Sequence, residues 1–412
     1  MKIVYFSYLY DIKGISAGSA NKALGFLGGL RQLGHDVRLF WREVQPDAFE
    51  GDSIRLRIRS RLKGRFSKIL HDPNAVLKNG GYFFKDLDIL RHEKPDLLFL
   101  RSELYNVSAQ AAAGCLRLPV VLEADCPTAY ERRYMSKLDF AALPVLPEWT
   151  ERWNCKACRA IITISDVLKA HLIRYGIPPS KITVVPNGAD PDKFRPHPGA
   201  DRIRGRLGIP QRAVVIGWMQ SGWGLSGIKT WITVARRILD ANRDTVFLFI
   251  GGGKNQETIE TAFGSDPLGR RVFCTGTVPY DQVPAYVNAL DIVTVQYPKS
   301  ELWYPSSMKL FECMAAQKAV VASAVPQVEQ VIRDGWNGFL FEQDNLDEFA
   351  GKVLKLVGSP AFRRKFAANA RKTVLDSYTW IHQASKMEAV FREVLKNRAK
   401  VRSAYSVVNS QG

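Results

Sequence analysis

The sequence lacks any apolar run long enough to cross a membrane. A membrane-spanning helix needs about 20 consecutive apolar residues, and no segment approaches this length, although 46% of the 412 residues are hydrophobic and 24% are charged. Lys2 is followed directly by a short apolar stretch typical of a first strand, without the longer apolar region of a signal peptide. We therefore predict a globular, cytoplasmic protein.

Cysteine is also scarce. Six cysteines at irregular spacings in a chain of this length indicate reduced thiols rather than a disulfide framework. Cys155 and Cys158 form a single CxxC, but no second pair follows, and a structural zinc site needs four ligands. We predict no metal site, and keep metal or redox use of this pair as the weaker alternative.

Acidic residues are too few to balance the basic ones. The chain has 58 Lys and Arg against 40 Asp and Glu, a net charge of +18, which implies an anionic partner such as a nucleic acid, a phosphorylated substrate or the acidic inner leaflet of a membrane. In residues 54–70, apolar residues at helical spacing stand among seven basic residues and no acidic one. This segment predicts a basic amphipathic helix. Peripheral contact with an anionic membrane and a solvated surface helix remain equal interpretations.

The dinucleotide-binding pattern GxGxxG is missing after the first strand. What is present is an alternation of strands and helices, typical of a doubly wound parallel sheet. It occurs twice, in a chain longer than the roughly 300 residues at which one core stops growing. We predict two Rossmann-like α/β domains. The strands are expected near residues 3–6, 37–40, 96–100, 120–122, 161–164 and 182–185, then 214–218, 245–250, 272–275, 292–295 and 320–322.

Prolines divide the two alternations. Pro191, Pro196 and Pro198 follow the last strand of the first domain and indicate a linker. The predicted boundaries are a first domain over 1–190, a linker over 191–205 and a second domain over 206–378. The tail is helical by its period, and we expect a C-terminal helix at about 379–398 to return to the first domain.

Residues 306–315, SSMKLFECMA, open a helix after an irregular segment. Ser306 is a natural N-cap, and the free N–H groups and positive dipole end of a helix start bind phosphate. Lys309 and Glu312 lie three residues apart and share a helix face. This order suits a nucleotide sugar, with the ammonium near the phosphates and the carboxylate on the ribose hydroxyls. The alternative is an ordinary amphipathic helix with a solvated Lys and Glu.

Charged residues also follow two predicted strands of the first domain. Arg101 ends one strand, and Glu123 and Asp125 end the next. Because ligands bind at the carboxyl ends of parallel strands, a substrate role is a hypothesis for all three. Ordinary loop charge is the alternative.

Six motifs in order, spread over nearly the whole chain, resemble the retaining GT-B glycosyltransferases of group 1, or family 4. They are GLRQLGHDVRLF, CRAIITISDVLKAHL, KITVVPNGADPDKFRP, FCTGTVPYDQVPAYVNALDIVTV, SSMKLFECMAAQKAVVAS and DGWNGFLFEQDNLDEFA. The resemblance implies two Rossmann-like domains that close on a cleft. It also implies a nucleotide-sugar donor held mainly by the second domain, an acceptor on the first, and no metal.

The resemblance assigns individual residues as well. It implies that Glu312 binds the donor ribose, that Lys309 and the helix start lie under the diphosphate, and that the loop of Thr277 and Val278 contacts the base. Glycine-loop residues near the phosphates and sugar, strand ends and the helix start complete the substrate-binding candidates: Gly18, Ser19, Arg101, Glu123, Trp218, Gln220, Ser221, Gly222, Thr277, Val278, Tyr304, Ser306 and Ser307.

Three features depart from the family pattern. Tyr304 stands where the family has the first glutamate of its E-x7-E motif, which contacts the donor sugar, and Asp125 stands where many relatives have His. Gln220 and Ser226 occupy the places of a phosphate-binding Arg and Lys. The groups left to balance the diphosphate are Lys309, Lys299 and the loop 221–224.

We therefore predict a retaining glycosyltransferase, with Glu312, Lys309 and Asp125 as catalytic candidates. It would move a hexose-type sugar from a UDP- or GDP-linked donor to a hydroxyl acceptor in bacterial cell-surface polysaccharide or glycolipid assembly, with no further cofactor. The resemblance implies front-face attack, and a double displacement through Asp125 or Glu123 is the alternative. Transfer to a soluble small molecule is a second interpretation. A nucleic-acid-binding protein is a third, which the lack of basic and aromatic interleaving on strands disfavours.

Overall fold

The computed structural model describes residues 1–7, 17–41, 71–135, 145–220, 227–300 and 302–409. The segment predicted as a basic helix, 54–70, lies outside these ranges, as do Ser221, Gly222 and Ser226. The chain divides into two compact units, the first made of Met1–Pro186 and Gln383–Gly412 and the second of Asn187–His382.

Six parallel strands form the sheet of the first unit. They are β1 Lys2–Ser7, β2 Asp36–Trp41, β3 Leu97–Arg101, β4 Val120–Ala124, β5 Ala160–Thr163 and β6 Ile182–Val184, in the spatial order β2-β1-β3-β4-β5-β6. The helices are α1 Ala17–Gln32, α2 His71–Glu93, α3 Ser108–Cys115, α4 Leu146–Ala157 and α5 Asp166–Arg174. Shorter helical turns are Thr128–Tyr130, Glu131–Met135 and Pro179–Lys181. The strands β3 and β4 are buried throughout, as expected where helices cover both faces of a parallel sheet.

Helix α2 was not predicted from the sequence, because Asn79, Gly80 and Gly81 are poor helix formers in its middle. Polar contacts to the start of α3 hold this helix in place. The Asn79 side-chain oxygen accepts the N–H of Ser108 at 3.1 Å, and Asp86 accepts from the Ser108 hydroxyl at 2.7 Å. Tertiary hydrogen bonds therefore override the weak local propensity.

The second unit has its own six-stranded parallel sheet. Its strands are β7 Val214–Met219, β8 Thr245–Ile250, β9 Val272–Cys274, β10 Ile292–Val295, β11 Ala319–Ser323 and β12 Phe339–Phe341, in the order β12-β11-β10-β7-β8-β9. Its helices are α6 Ala200–Leu207, α7 Ile228–Ala241, α8 Lys254–Phe263, α9 Val283–Asn288, α10 Met308–Ala315, α11 Leu346–Val357 and α12 Pro360–Ser377. Short helical turns are Pro267–Arg271 and Pro326–Glu329.

Two features of the second unit differ from the sequence prediction. The strand β12, Phe339–Phe341, was not predicted. The proposed linker, 191–205, lies inside the second unit, which begins at Asn187 and includes α6. Phe194, between the prolines, is fully buried in the core of this unit. The segment that contains these prolines is therefore packed within the second unit and is not a linker.

The last helix, α13 Trp380–Asn409, starts in the second unit and continues in the first. Phe391 is fully buried, with its ring centroid 5.2 Å from that of Phe99 on β3. Glu388 pairs with His35 at 3.1 Å, and the Arg398 guanidinium donates to the carbonyl of Asp96 at 3.2 Å. The predicted return of a C-terminal helix to the first domain is confirmed.

Candidate functional site

Helix α10 begins two residues after Ser306. The prediction that Ser306 caps this helix is wrong, because Ser307 holds the N-cap position and the helix starts at Met308. The Ser306 hydroxyl instead accepts the N–H of Asn187 at 3.0 Å, and its carbonyl accepts from the Asn187 side-chain amide at 2.6 Å. In the described part of the chain, Ser307 makes no side-chain capping bond. The first-turn N–H groups therefore keep the donor capacity that a phosphate requires.

Lys309 lies in the first turn of α10 and is partly buried. Its ammonium donates to the side-chain oxygen of Gln220, just after β7. Burial lowers the pKa of Lys309 to about 8, against the opposing effect of Glu312. A cation whose contact is a neutral amide keeps most of its charge available for an anionic ligand.

Glu312 lies one turn further along α10 and is 4% exposed. Its Oε1 accepts the hydroxyl of Tyr280 at 2.7 Å. Burial raises the pKa of Glu312, opposed by the Tyr280 hydrogen bond and by the charges of Lys309 and Lys193. The alternative of a solvated helix face is therefore wrong for this carboxylate.

Glycines bring two loops of the second unit close together at the carboxyl ends of their strands. Gly251, after β8, has a φ of +152°, and a Cβ there would lie 2.2 Å from the Gln220 carbonyl oxygen. A Cβ on Gly252 would lie 2.5 Å from the Thr277 hydroxyl. Only glycine permits these approaches, so the loop of Thr277 and the loop of Gln220 are held against the same turn.

The other substrate-binding candidates of the second unit differ in their exposure. Thr277 is exposed, and Val278 packs on the core. Trp218 is 3% exposed and packs in the core against Trp231 at 5.4 Å between ring centroids. This packing gives no support to its assignment to substrate binding, which stays a prediction.

Two residues near α10 have partners of their own. Tyr304, at the place of the missing glutamate, is 4% exposed, and its side chain is engaged within the protein. Lys299 forms an exposed ion pair with Asp344 at 3.7 Å. Among the cations considered for the diphosphate, Lys309 is therefore the one that the described residues place in the first turn of α10.

The first unit contains a second polar cluster at the ends of β3 and β4, where Arg101 pairs in register with Glu123. The Arg101 guanidinium contacts Asp125 at 3.2 Å and Glu103 at 2.7 Å. Lys22, from α1, reaches Glu123 at 2.5 Å and Asp125 at 3.4 Å. The structure thus brings together Arg101, Glu123 and Asp125, as their positions at strand ends suggested. The alternative interpretation, that these three residues are ordinary charged loop residues, does not fit these contacts.

The two cations set the charge of this cluster. Burial alone would raise the pKa of Asp125, but Arg101 and Lys22 outweigh it and lower the pKa to about 2. Burial lowers the pKa of Lys22, but Asp125 and Glu123 outweigh it, so the net shift is upward. Burial raises the pKa of Glu103 to about 7 despite Arg101. Asp125 and its two cations therefore remain charged near neutral pH.

Gly18 and Ser19 lie at the start of α1. The Ser19 hydroxyl accepts from Arg101 at 3.4 Å, which joins it to the cluster. A Cβ on Gly18 would meet no atom of the described structure within 4 Å, so close packing does not explain this glycine. The Oδ1 atom of Asp125 is buried and has no hydrogen-bond partner among the described residues.

Several members of these clusters were missed in the sequence. Tyr5 donates to Glu123 at 2.6 Å from β1, and Lys22 and Glu103 complete the cluster of the first unit. In the second unit, Tyr280 and Lys193 were missed. Lys22 carried a usable signal, because it lies three residues after Ser19 beside the apolar face of α1. Tyr280 and Lys193 reach Glu312 from distant segments, which no local pattern shows.

The described residues give no support to a redox or metal-binding role of the CxxC pair. Cys155 and Cys158 are buried, and burial raises the pKa of Cys158 to about 12 and holds the pKa of Cys155 well above its usual range, so neither is a reactive thiolate. The described residues contain no group of three or more His, Cys, Asp or Glu arranged to hold a metal ion. No helix within the described ranges is long and apolar enough to span a membrane.

Two protein-family models match the chain in succession. The model described as Glycosyltransferase Family 4 matches residues 18–193, and the model described as Glycosyl transferases group 1 matches residues 201–373. The first match covers most of the first sheet, and the second covers the sheet that carries α10.

Individual proteins agree with these models. A 2-deoxystreptamine glucosyltransferase from Streptomyces kanamyceticus is 26% identical over 295 residues, which are 70% of this chain and 74% of the relative. The UDP-Gal:alpha-D-GlcNAc-diphosphoundecaprenol alpha-1,3-galactosyltransferase of Escherichia coli is 20% identical over 371 residues, 88% of this chain and 90% of the relative. The crystal structure of Anabaena HepE in complex with UDP-glucose has a TM-score of 0.67 at 16% identity, covering 95% of this chain and 100% of that one. The structural likeness shows a shared fold.

Proposed function

The chain belongs to the group 1, family 4 glycosyltransferases and has their GT-B fold, and from this premise we propose that it is a retaining enzyme that transfers a hexose-type sugar from a nucleoside diphosphate donor to a hydroxyl acceptor. Both the family and the fold expected from the sequence are confirmed. The donor, the stereochemistry and the acceptor are proposals.

The arrangement on α10 is the observation that carries this proposal. Lys309, in the first turn, contacts a neutral amide, and Glu312, one turn further in, is buried and accepts from a neutral hydroxyl. A diphosphate at the helix start would meet N–H groups and an ammonium. Ribose hydroxyls would meet the carboxylate. This order of charges suits a nucleoside diphosphate.

In the proposed reaction, negative charge builds on the diphosphate as the glycosidic bond breaks. The α10 N–H groups and Lys309 would stabilise this charge where it develops, which lowers the barrier more than equal binding of the ground state would. The acceptor hydroxyl attacks the same face of the sugar, and its proton passes to the departing phosphate. Double displacement would need a carboxylate nucleophile, and because Asp125 Oδ2 contacts both Arg101 and Lys22, that role would fall to its buried Oδ1.

We propose a UDP-linked donor, with a GDP-linked donor as the alternative. Support comes from the E. coli relative, whose name specifies UDP-Gal, and from Anabaena HepE, which binds UDP-glucose.

The thermal unfolding of the chain should be measured with UDP, GDP, ADP, CDP and dTDP. A ligand at 100 times its dissociation constant adds about 2.7 kcal/mol to stability. The proposed donor base predicts the largest rise in Tm with UDP. Equal rises with all five would contradict the choice of base, and a Tm that none of the five changes would contradict a nucleoside diphosphate site.

Retention is tested on the product. Transfer from an α-linked UDP-hexose should give an α-linked glycoside, which the anomeric proton coupling in an NMR spectrum reports directly. A β-linked product would contradict the proposed mechanism while leaving the donor site intact.

For the acceptor, we propose a lipid-linked glycan of cell-surface assembly. The E. coli relative is named for a diphosphoundecaprenol acceptor and spans 88% of this chain, and the net charge of +18 suits an anionic membrane surface. The S. kanamyceticus relative is named for 2-deoxystreptamine, which favours a soluble small molecule as the second candidate.

A sedimentation assay decides the membrane part of this proposal. The wild type should sediment with anionic liposomes at low salt. Replacing Arg55, Arg59 and Lys63 by Gln should weaken this binding by roughly 3 kcal/mol, at about 1 kcal/mol per basic residue near the surface. Wild-type protein that stays in the supernatant would favour a soluble acceptor.

A further inference from the structure

Glu312 is held by a residue that lies outside its own helix. The Tyr280 hydroxyl donates to Glu312 Oε1 at 2.7 Å across 32 residues of sequence. Burial, with the Glu312 charge adding to it, raises the pKa of Tyr280 far above its usual range. The phenol is therefore protonated near neutral pH, as its hydrogen bond to this carboxylate requires.

A second side chain supports the tyrosine ring. The Lys193 ammonium lies 3.7 Å from the Tyr280 ring centroid, within the range of a cation–π contact. Phe194 contacts the same ring at 6.0 Å between centroids. Lys193 also acts on Glu312 through its charge, and Asp190 and Asp281 act on Lys193. The Tyr280 ring thus packs against the charged Lys193 and the uncharged Phe194.

From this geometry we propose that Tyr280, supported by Lys193, is the positioning residue that directs Glu312 toward the ribose of the nucleotide donor. The inference rests on the proposed function and adds a residue to it. Because Tyr280 donates to Oε1, we expect Oε2 to accept from the ribose. The bond also fixes the rotation of the carboxylate, which would otherwise lose entropy on binding the ligand.

The proposal predicts a specific loss of ribose recognition. Calorimetry should compare UDP with 2′,3′-dideoxy-UDP, and GDP with its dideoxy analogue, on the wild type and on Tyr280→Phe. The wild type should prefer the intact ribose, and Tyr280→Phe should reduce this preference about tenfold, the size expected for a lost hydrogen bond to a charged group. Affinity for the dideoxy nucleotide should stay nearly the same.

The pH dependence gives a readout that a purely structural role would not move. The ribose requires the ionised Glu312, whose pKa is raised by burial and lowered by Tyr280, Lys309 and Lys193. Affinity should therefore fall as the pH drops through this pKa. Tyr280→Phe removes one of the lowering contacts, so its acid limb should move to higher pH. Lys193→Gln should move it in the same direction by a smaller amount.

Tyr286→Phe is the matched control. Its hydroxyl contacts Arg206 rather than Glu312, so this variant should keep both the wild-type ribose preference and the wild-type acid limb. A Tyr280→Phe protein that binds UDP with both properties unchanged would overturn the positioning role. A wild type that binds neither UDP nor GDP would overturn the donor site itself, and the two failures are thereby distinguished.

Discussion

Each unit has a polar cluster, at the ends of β3 and β4 in the first unit and on α10 in the second, and the two clusters hold their charges in opposite ways. In the first unit, Arg101 and Lys22 contact the carboxylates of Asp125 and Glu123 directly. In the second unit, the contacts that hold Lys309 and Glu312 come from a neutral amide and a neutral phenol.

We infer from this difference that the cluster of the first unit is rigid, whereas the cluster of the second unit can bind a charged ligand. Ion pairs that compensate each other fix a geometry and leave little net field, which suits neutral hydroxyl groups. Charges held by neutral partners keep their field for a ligand. We therefore expect substitutions in the cluster of the first unit to act mainly on stability, and substitutions in the cluster of the second unit to act mainly on binding and transfer.

The largest expected effect is on stability and comes from Arg101→Met. This change leaves Asp125 and Glu103 without their common cation, and breaking a buried ion pair costs about 3–5 kcal/mol. Urea unfolding should show that loss. Arg38→Met is the control, because its pair with Asp36 is exposed and should contribute less than about 1 kcal/mol. Equal stability of the two variants would remove the distinction between the clusters.

Glu312→Gln should act on transfer instead. The amide keeps the shape of the carboxylate but offers a weaker acceptor to the ribose, so kcat/KM should fall by about thirty- to a thousandfold, or 2–4 kcal/mol. The melting temperature should hardly change. The exposed Glu329→Gln provides the control. Near-wild-type turnover of Glu312→Gln would place this carboxylate outside the active site.

Lys309→Met should weaken nucleoside diphosphate binding by tenfold or more, because it removes a charge-assisted contact of about 1.5–3 kcal/mol. Calorimetry on folded protein measures the change. Lys372→Met, at an exposed ion pair with Asp376, should bind like the wild type. If both lysine variants keep full affinity, another group balances the diphosphate.

The smallest expected effect is a pH dependence of that same binding. Burial lowers the pKa of Lys309 to about 8, so the charged fraction of this lysine falls as the pH rises through 8. Diphosphate affinity should drop by up to about tenfold between pH 7 and pH 9, since one pKa unit corresponds to about 1.4 kcal/mol. Lys309→Met should lose the dependence. A flat wild-type profile would show that Lys309 titrates elsewhere.

Strand ends were the most predictable part of the site. Arg101, Glu123 and Asp125 were expected together because parallel strands end at one edge, and the structure places them in contact. The position of Glu312 on α10 followed from the helical period. The face of a strand was harder to predict, and Trp218 shows why, since both faces of β7 are covered and an apolar run does not show which side carries a ligand.

Partners from distant segments could not be predicted. Tyr280 lies 32 residues before Glu312, and Lys193 lies well over a hundred residues before it, so their contacts exist only after the sheet has formed. The burial of Phe194 was hidden by the prolines around it. Local chemistry predicts where a charged residue stands, whereas its pairing depends on tertiary packing.

Helix α13 gives the first unit a core that is discontinuous in sequence. Phe391 lies in that core beside Phe99, although almost three hundred residues separate them. During synthesis, which proceeds from the N-terminus at about 5–20 residues per second, the second unit is complete before the first has all its residues. The first sheet therefore keeps an uncovered apolar surface until α13 has left the ribosome. We expect a nascent chain that stops before Phe391 to depend on chaperones more than the full chain does.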